Sequence, residues 1–223
     1  MSKNIITIEE LFLTIQNTPI LKNITLHVEK KETVILKGVS GSGKTTLLGL
    51  IAGLEKPTSG KIEVNSYQIA KMPQQHLSKF LQENIGLIFQ NFNLLEHLSV
   101  EENVSAPLFA TKATRKEIQQ KTAQAMKEAK IYHKKDALAN TLSGGEKQRC
   151  SIARAIVHKP QIILCDEPTA NLDKENTLAF IETLADLHKQ GHTIIVATHD
   201  PLFEQLEFPH RVIHMQEGQI TDG

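Results

Sequence analysis

Apolar residues recur at alternate positions in the opening segments of the chain: Ile5 to Ile8, then Ile24, Leu26 and Val28. A period of two predicts half-buried strands. A third run, Val34-Ile35-Leu36, leads into a glycine-rich stretch and then a helical apolar run from Leu47 to Ala52. Beyond a Pro57-Thr58-Ser59-Gly60 turn, strand character returns at Lys61 to Val64 and at Gly86 to Phe89. Between Asn91 and Thr141 it disappears, and Arg115 to Ile131 is dense in Ala, Lys, Gln and Glu, which favours helix. Ile162 to Cys165 and Thr193 to Val196 are continuous apolar runs, as parallel strands buried on both faces require. Glu175 to Lys189 fits a crossover helix between them, and Val212 to Gln219 a closing hairpin. The expectation is an α/β fold with a mostly parallel core sheet over residues 1–90 and 142–223. The first strands add an antiparallel edge, and residues 91–141 form a helical subdomain.

Composition narrows the function classes. A length of 223 residues suits one α/β domain. Lys plus Arg equals 25 and Asp plus Glu equals 25, so nothing favours binding to nucleic-acid phosphates or to an anionic membrane surface. No apolar run has the length needed to cross a bilayer, and Glu9 and Glu10 break up the opening stretch, unlike a secretory signal. Cys150 and Cys165 lack metal-ligand spacing and read as free buried thiols of a reducing compartment. The expected place is the cytosol, with any membrane attachment supplied by a partner and no direct insertion.

The glycine-rich stretch carries the first chemistry. Gly38-Val39-Ser40-Gly41-Ser42-Gly43-Lys44-Thr45-Thr46 is a phosphate-binding loop between a strand and a helix. Its glycines let backbone N–H groups turn toward a phosphate, and the following helix adds its positive end. Lys44 is placed to reach the β- and γ-phosphates, and the Thr45 hydroxyl to ligate Mg²⁺. A second element is the pair Asp166-Glu167 at the carboxyl end of an apolar strand, where open α/β sheets bind ligands. There Asp166 suits a hard cation and Glu167 can orient or deprotonate water. His199 follows the next apolar strand; alone it is as readily a structural histidine as a phosphate contact. Finally, Leu142-Ser143-Gly144-Gly145-Glu146 places an N-cap serine and two glycines at another helix start, a second anion cradle far along the chain. One nucleotide needs only one such cradle from each chain, so the economical reading gives the second to a nucleotide held by another copy.

With these residues in this order, the chain resembles the ABC ATPase family over essentially its whole length. The resemblance implies a P-loop NTPase (RecA-like) core binding ATP and Mg²⁺. The nucleotide would be held by Gly38, Ser40, Gly41, Ser42, Gly43, Lys44, Thr45 and Thr46. Ser143, Gly144, Gly145 and Asp173 of a second subunit, in a homodimer, would complete its site. Gln90 in Phe89-Gln90-Asn91 matches the loop that senses Mg²⁺ and γ-phosphate, so the metal set is Thr45, Gln90 and Asp166, and the catalytic set Glu167, His199, Gln90 and Lys44. Gly86 to Leu95, Leu98 to Val104 and Asp166 to Asp173 look like the branch of macrolide exporter, lipoprotein-releasing and FtsE-type ATPases. That branch implies an integral membrane permease as partner, residence at the cytoplasmic face of the inner membrane, and export or extraction of lipoprotein, peptide or drug. Its alternative is an FtsE-like regulatory ATPase that signals to cell-envelope machinery without transport. A GTPase is disfavoured by the signature motif and by the lack of a guanine-reading Asn-Lys-x-Asp.

Two positions depart from the family pattern. Ile15 stands where an aromatic residue usually stacks on adenine, and offers dispersion but no π surface. Lys31 stands where relatives have glycine, so that turn is expected to be built differently. The partner's helix is expected in a groove around Phe92 to Leu108, lined by Phe92, Leu94, Leu95, Leu98 and Val100.

Overall fold

A computed structural model describes residues 3–222 of the chain. Strands β1 (Asn4–Ile15) and β2 (Thr18–Glu29) form a long hairpin whose two turn residues, Gln16 and Asn17, both have positive φ, 48° and 63°. Such turns match the right-handed twist of the paired strands. Strand β3 (Thr33–Lys37) follows, then helix α1 (Lys44–Ile51), and β4 (Ser59–Val64) with β5 (Tyr67–Gln68). The remaining elements are α2 (Gln74–Asn84), β6 (Ile85–Ile88), α3 (Val100–Ser105), α4 (Arg115–Glu128), α5 (Gly144–Ile156), β7 (Ile162–Asp166), α6 (Lys174–Lys189), β8 (Thr193–Thr198), β9 (Arg211–Gln216) and β10 (Gln219–Asp222).

The antiparallel strands take two places. The first strands form a sheet of their own, ordered β2-β1-β4-β5. The main sheet runs β10-β9-β3-β8-β7-β6, parallel throughout except for β10 on β9. Because β3 pairs with β9 on one side and β8 on the other, it has no free edge for β2 to join. The alternation along β3 then divides the core. Val34 and Leu36 pack with Ile6, Ile8, Leu47 and Ile51 under the antiparallel sheet, whereas Ile35 faces Val104, Met126, Ile152 and Phe180 on the helical side. Both faces are thus dry, and Cys150 and Cys165 lie in the helical-side core as free thiols.

Residues 91–141 contain α3, α4 and short 3₁₀ turns, with a single isolated bridge between Ser99 and Leu138. Ser99 and Thr114 start the two helices with reciprocal caps to Glu102 and Glu117. Helix α4 stops at Glu128, short of the expected Ile131, because Lys130 turns left-handed at φ 55° and the Ile131 N–H closes back on the Met126 carbonyl. At the Lys31 turn the lysine adopts φ 67°, a left-handed conformation that glycine takes at less cost, and its N–H donates to Thr193 Oγ1 at 2.9 Å. The lysine carries that strain. Among the described residues, no helix is long and apolar enough to cross a membrane.

Candidate nucleotide site

The site lies at the carboxyl edge of the main sheet, where β3, β8 and β7 end side by side. From β3 the chain enters the loop Gly38 to Gly43, with Gly41 and Gly43 in left-handed conformations at φ 81° and 100°. No side chain caps α1, so its first N–H groups remain free for an anion. Lys44 is 5% exposed and curls over the loop, donating to the carbonyls of Gly38 at 2.7 Å and Val39 at 3.1 Å. The C-terminal hairpin braces the loop from behind. The Gly218 N–H donates to the Ser42 carbonyl at 3.1 Å, and the Gly218 carbonyl accepts from Lys22 N–H at 2.8 Å.

Across the edge stand the two acids. Thr45 Oγ1 donates to Asp166 Oδ1 at 2.8 Å. Glu167 bridges two groups: Oε1 is 3.4 Å from Lys44 Nζ, and Oε2 is 3.0 Å from His199 Nδ1. Glu167 itself sits left-handed at φ 43°, fixed by its N–H on the Ala197 carbonyl at 2.8 Å. A strained carboxylate held between a cation and an imidazole is the kind of arrangement found where chemistry occurs. Burial raises the Asp166 carboxyl above its usual range; the Thr45 bond opposes this, the neighbouring Glu167 charge adds to it, and Lys44 opposes it. A threonine hydroxyl and a carboxylate in contact are the hard oxygen donors that Mg²⁺ takes, so the residues fit that ion. Gln90, just beyond β6, is exposed, and its carbonyl accepts from Asn171 Nδ2 at 3.1 Å.

Ser143 caps α5 by accepting from Glu146 N–H at 3.3 Å, while Glu146 Oε2 accepts from Ser143 N–H at 2.8 Å. Those bonds stay within the helix end, which leaves Ser143 and Gly144 exposed. Asp173 likewise caps α6 through Asn176 N–H at 2.8 Å. Gly145 is buried against Asn176, so signature and α6 start are packed together within one chain. Ile15, at the hairpin tip, is 45% exposed, and Phe12 is 40% exposed.

The groove expectation needs correction. A groove of about 970 Å³ does exist, but Leu81, Leu87, Phe89, Pro107, Arg154 and His158 are among its walls, and none of Phe92, Leu94, Leu95, Leu98 or Val100 is. Val100 is fully buried as a core residue, and Leu94 packs on the same core. Two features were missed from sequence. Helix α2, which contributes a groove wall, is polar except for Leu77, Phe80 and Leu81, a helical spacing that reveals it. Arg154 donates from Nη1 to the Asn93 carbonyl at 2.5 Å and from Nη2 to the Phe92 carbonyl at 2.6 Å, a contact across the chain with no local signal.

A glycine-rich loop opening a helix, facing an acid pair at the end of the strand one place beyond its neighbour in the sheet, defines a P-loop nucleotide-binding domain. The family profile described as ABC transporter matches residues 21–170. The bacitracin export ATP-binding protein BceA of Halalkalibacterium halodurans is 41% identical over 202 residues, covering 90% of this chain and 79% of that protein. The macrolide export ATP-binding/permease protein MacB of Campylobacter jejuni is 42% identical over 202 residues, but the chain spans only 31% of it. Among solved structures, the dimeric post-hydrolysis state of the ATP-binding cassette MJ0796, bound to ADP and Pi, superposes with a TM-score of 0.88 at 31% identity, covering 97% of both chains. The chain belongs to the ABC transporter family, as an ATP-binding ATPase subunit.

Proposed function

We propose that two copies of this chain close head to tail on two ATP molecules and drive a membrane permease from its cytoplasmic face. The observation that carries the catalytic assignment is Glu167, set between Lys44 and His199 beside the Thr45–Asp166 pair. In this reading Lys44 gives up its loop carbonyls for the β- and γ-phosphates as ATP enters, and the free N–H groups of α1 hold the same charge. Glu167 accepts the proton of the attacking water at Oε1 or Oε2, and His199 orients that carboxylate and the γ-phosphate. Mg²⁺, when bound with ATP, neutralises charge developing on the phosphates; Thr45, Asp166 and Gln90 would hold it. Ser143, Gly144, Gly145 and Asp173 of the second copy would complete each site, which fits the exposure of Ser143, Gly144 and Asp173 at or near helix starts. Closure is driven by the tighter binding of ATP to the closed dimer.

The groove would receive a cytoplasmic helix of the permease, and nothing in this mechanism involves nucleic acid. Relatives named for bacitracin and macrolide export support a peptide or drug as cargo, with lipoprotein extraction the near alternative. Glu167→Gln tests the catalytic core. It is expected to bind ATP, lower kcat by about 10²–10⁴, and elute as an ATP-dependent dimer in size exclusion. Turnover at the parent rate would remove Glu167 from its role. Purifying that variant from native membranes with Mg-ATP identifies the partner: a permease supports transport, and cell-division proteins would support the regulatory alternative.

A further inference from the structure

We propose that Arg154 is a positioning residue for Gln90, clamping the loop that presents it from the last turn of the signature helix. The inference rests on the role given to Gln90 above. Immediately after Gln90-Asn91, two successive residues without the freedom of glycine, Phe92 and Asn93, hold positive φ at 58° and 49°. Asparagine tolerates that region, but phenylalanine does so only at a cost. The local bonds from Phe92 N–H to the Phe89 carbonyl at 3.0 Å and from Asn93 N–H to the Asn91 carbonyl at 2.6 Å are supplemented from outside the segment. Arg154 supplies that hold: its two terminal nitrogens take the two adjacent carbonyls, Phe92 at 2.6 Å and Asn93 at 2.5 Å, one fork on two acceptors. Among the described residues, no carboxylate lies within ion-pair distance of that guanidinium, so the two carbonyls are what it binds. The other flank of the loop is tied as well, Asn171 Nδ2 donating to the Gln90 carbonyl at 3.1 Å.

The consequence is mechanical. Helix α5 begins at the Ser143 cap, so the same rigid rod carries the signature serine and the clamp on the Gln90 loop. Arg154 and Asn93 also line the groove, so the clamp stands between whatever enters the groove and Gln90. Loss of the fork lets Phe92 and Asn93 relax, and Gln90 then spends less time in register with the site.

The test is a double-mutant cycle on the purified chain, with steady-state ATPase measured across ATP and Mg²⁺ concentrations. Arg154→Ala is expected to lower kcat about tenfold, the equivalent of one charge-assisted hydrogen bond, with KM for ATP within about twofold and a raised Mg²⁺ requirement. Arg154→Lys keeps the charge and stem but not the fork, and is expected to fall most of the same way; it carries the test if the alanine variant does not fold. In a Gln90→Ala background, either substitution is expected to cost nothing further. A second full tenfold loss in that background, or parent-like kcat and Mg²⁺ dependence in Arg154→Lys, overturns the proposal. Parent-like kcat in Gln90→Ala alone overturns the Gln90 assignment too, which separates that failure from one confined to Arg154.

Discussion

Replacing Gly218 with alanine is the sharpest probe of how the phosphate loop is held. Gly218 has φ 78°, and a Cβ there would overlap the Ile20 carbonyl oxygen while lying 3.0 Å from the Ile20 carbonyl carbon and 3.3 Å from Leu21 Cα. The left-handed backbone alone costs an alanine about 1–2 kcal/mol, and crowding against backbone adds about 1–3 kcal/mol. The expected loss is therefore roughly 2–5 kcal/mol, or about 4–20 °C in Tm for a chain of this size. The clash can be relieved only by moving the hairpin turn, which breaks its bond to the Ser42 carbonyl and loosens the loop. ATP affinity should fall about fivefold, the value of one hydrogen bond near 1 kcal/mol. Gly191→Ala is the control. Its φ is 89°, but a Cβ would meet only the Lys31 side chain at 3.4 Å or more, at the amino end of β8 and away from the loop. It should lose the backbone term alone and bind ATP normally. Calorimetric Tm and nucleotide titration on both variants decide the matter: equal Tm losses with unchanged ATP affinity in Gly218→Ala would refute the bracing argument.

Other outcomes follow from the same geometry. In Gly145→Ala the new methyl overlaps the Asn176 carboxamide, which must shift and disturb its bonds to Asp173 at a cost of about 1–3 kcal/mol; adding Asn176→Ala should recover part of it, measured by urea midpoints, and strict additivity would deny the contact. Glu146 is held at about 2, below its usual 4.5, first by the Ser143 N–H and then by Lys134. A depressed carboxyl contributes stability above its unfolded value and loses it as pH falls through the folded one. The stability gap between parent and Glu146→Gln should accordingly be full at pH 7 and shrink below about pH 4.5; a constant gap would show that charge is not involved. Ile15→Tyr, at an exposed hairpin tip, should raise preference for ATP over GTP in competition binding, because a phenol face stacks where a branched alkyl does not. Equal selectivity would take position 15 away from the base.

How much of this was legible beforehand depended on whether the signal was local. The loop from Gly38 to Thr45 and the apolar strands ending at Asp166 and Thr198 announce themselves in consecutive residues, and the structure brings them to one edge. Ser143 reads as a cap because a capping serine acts within three residues of itself; Asp173 does the same in the structure. The pairing of β3 with β9 cannot be read so, since it joins residues 34–37 to 211–214 and sends the first strands into a separate sheet. The groove fails for a related reason: Leu94 and Val100 pack on the helical core, and the open wall is built from α2 and the end of α5. The clamp of Arg154 spans 61 residues to Asn93 and leaves no mark on either segment alone.

The two cysteines have a practical consequence. Both are 0% exposed, and burial pushes the Cys150 thiol up to about 12 and the Cys165 thiol further still. Neither offers a thiolate near neutral pH, and the thiolate is the form that reacts with maleimides and disulfide reagents. The native chain is therefore already a silent background for site-directed labelling. A single cysteine introduced at exposed Thr141 or Ala170 would be the one reactive position in each copy, and a dye pair placed there would turn the opening and closing of two copies into a distance read in real time.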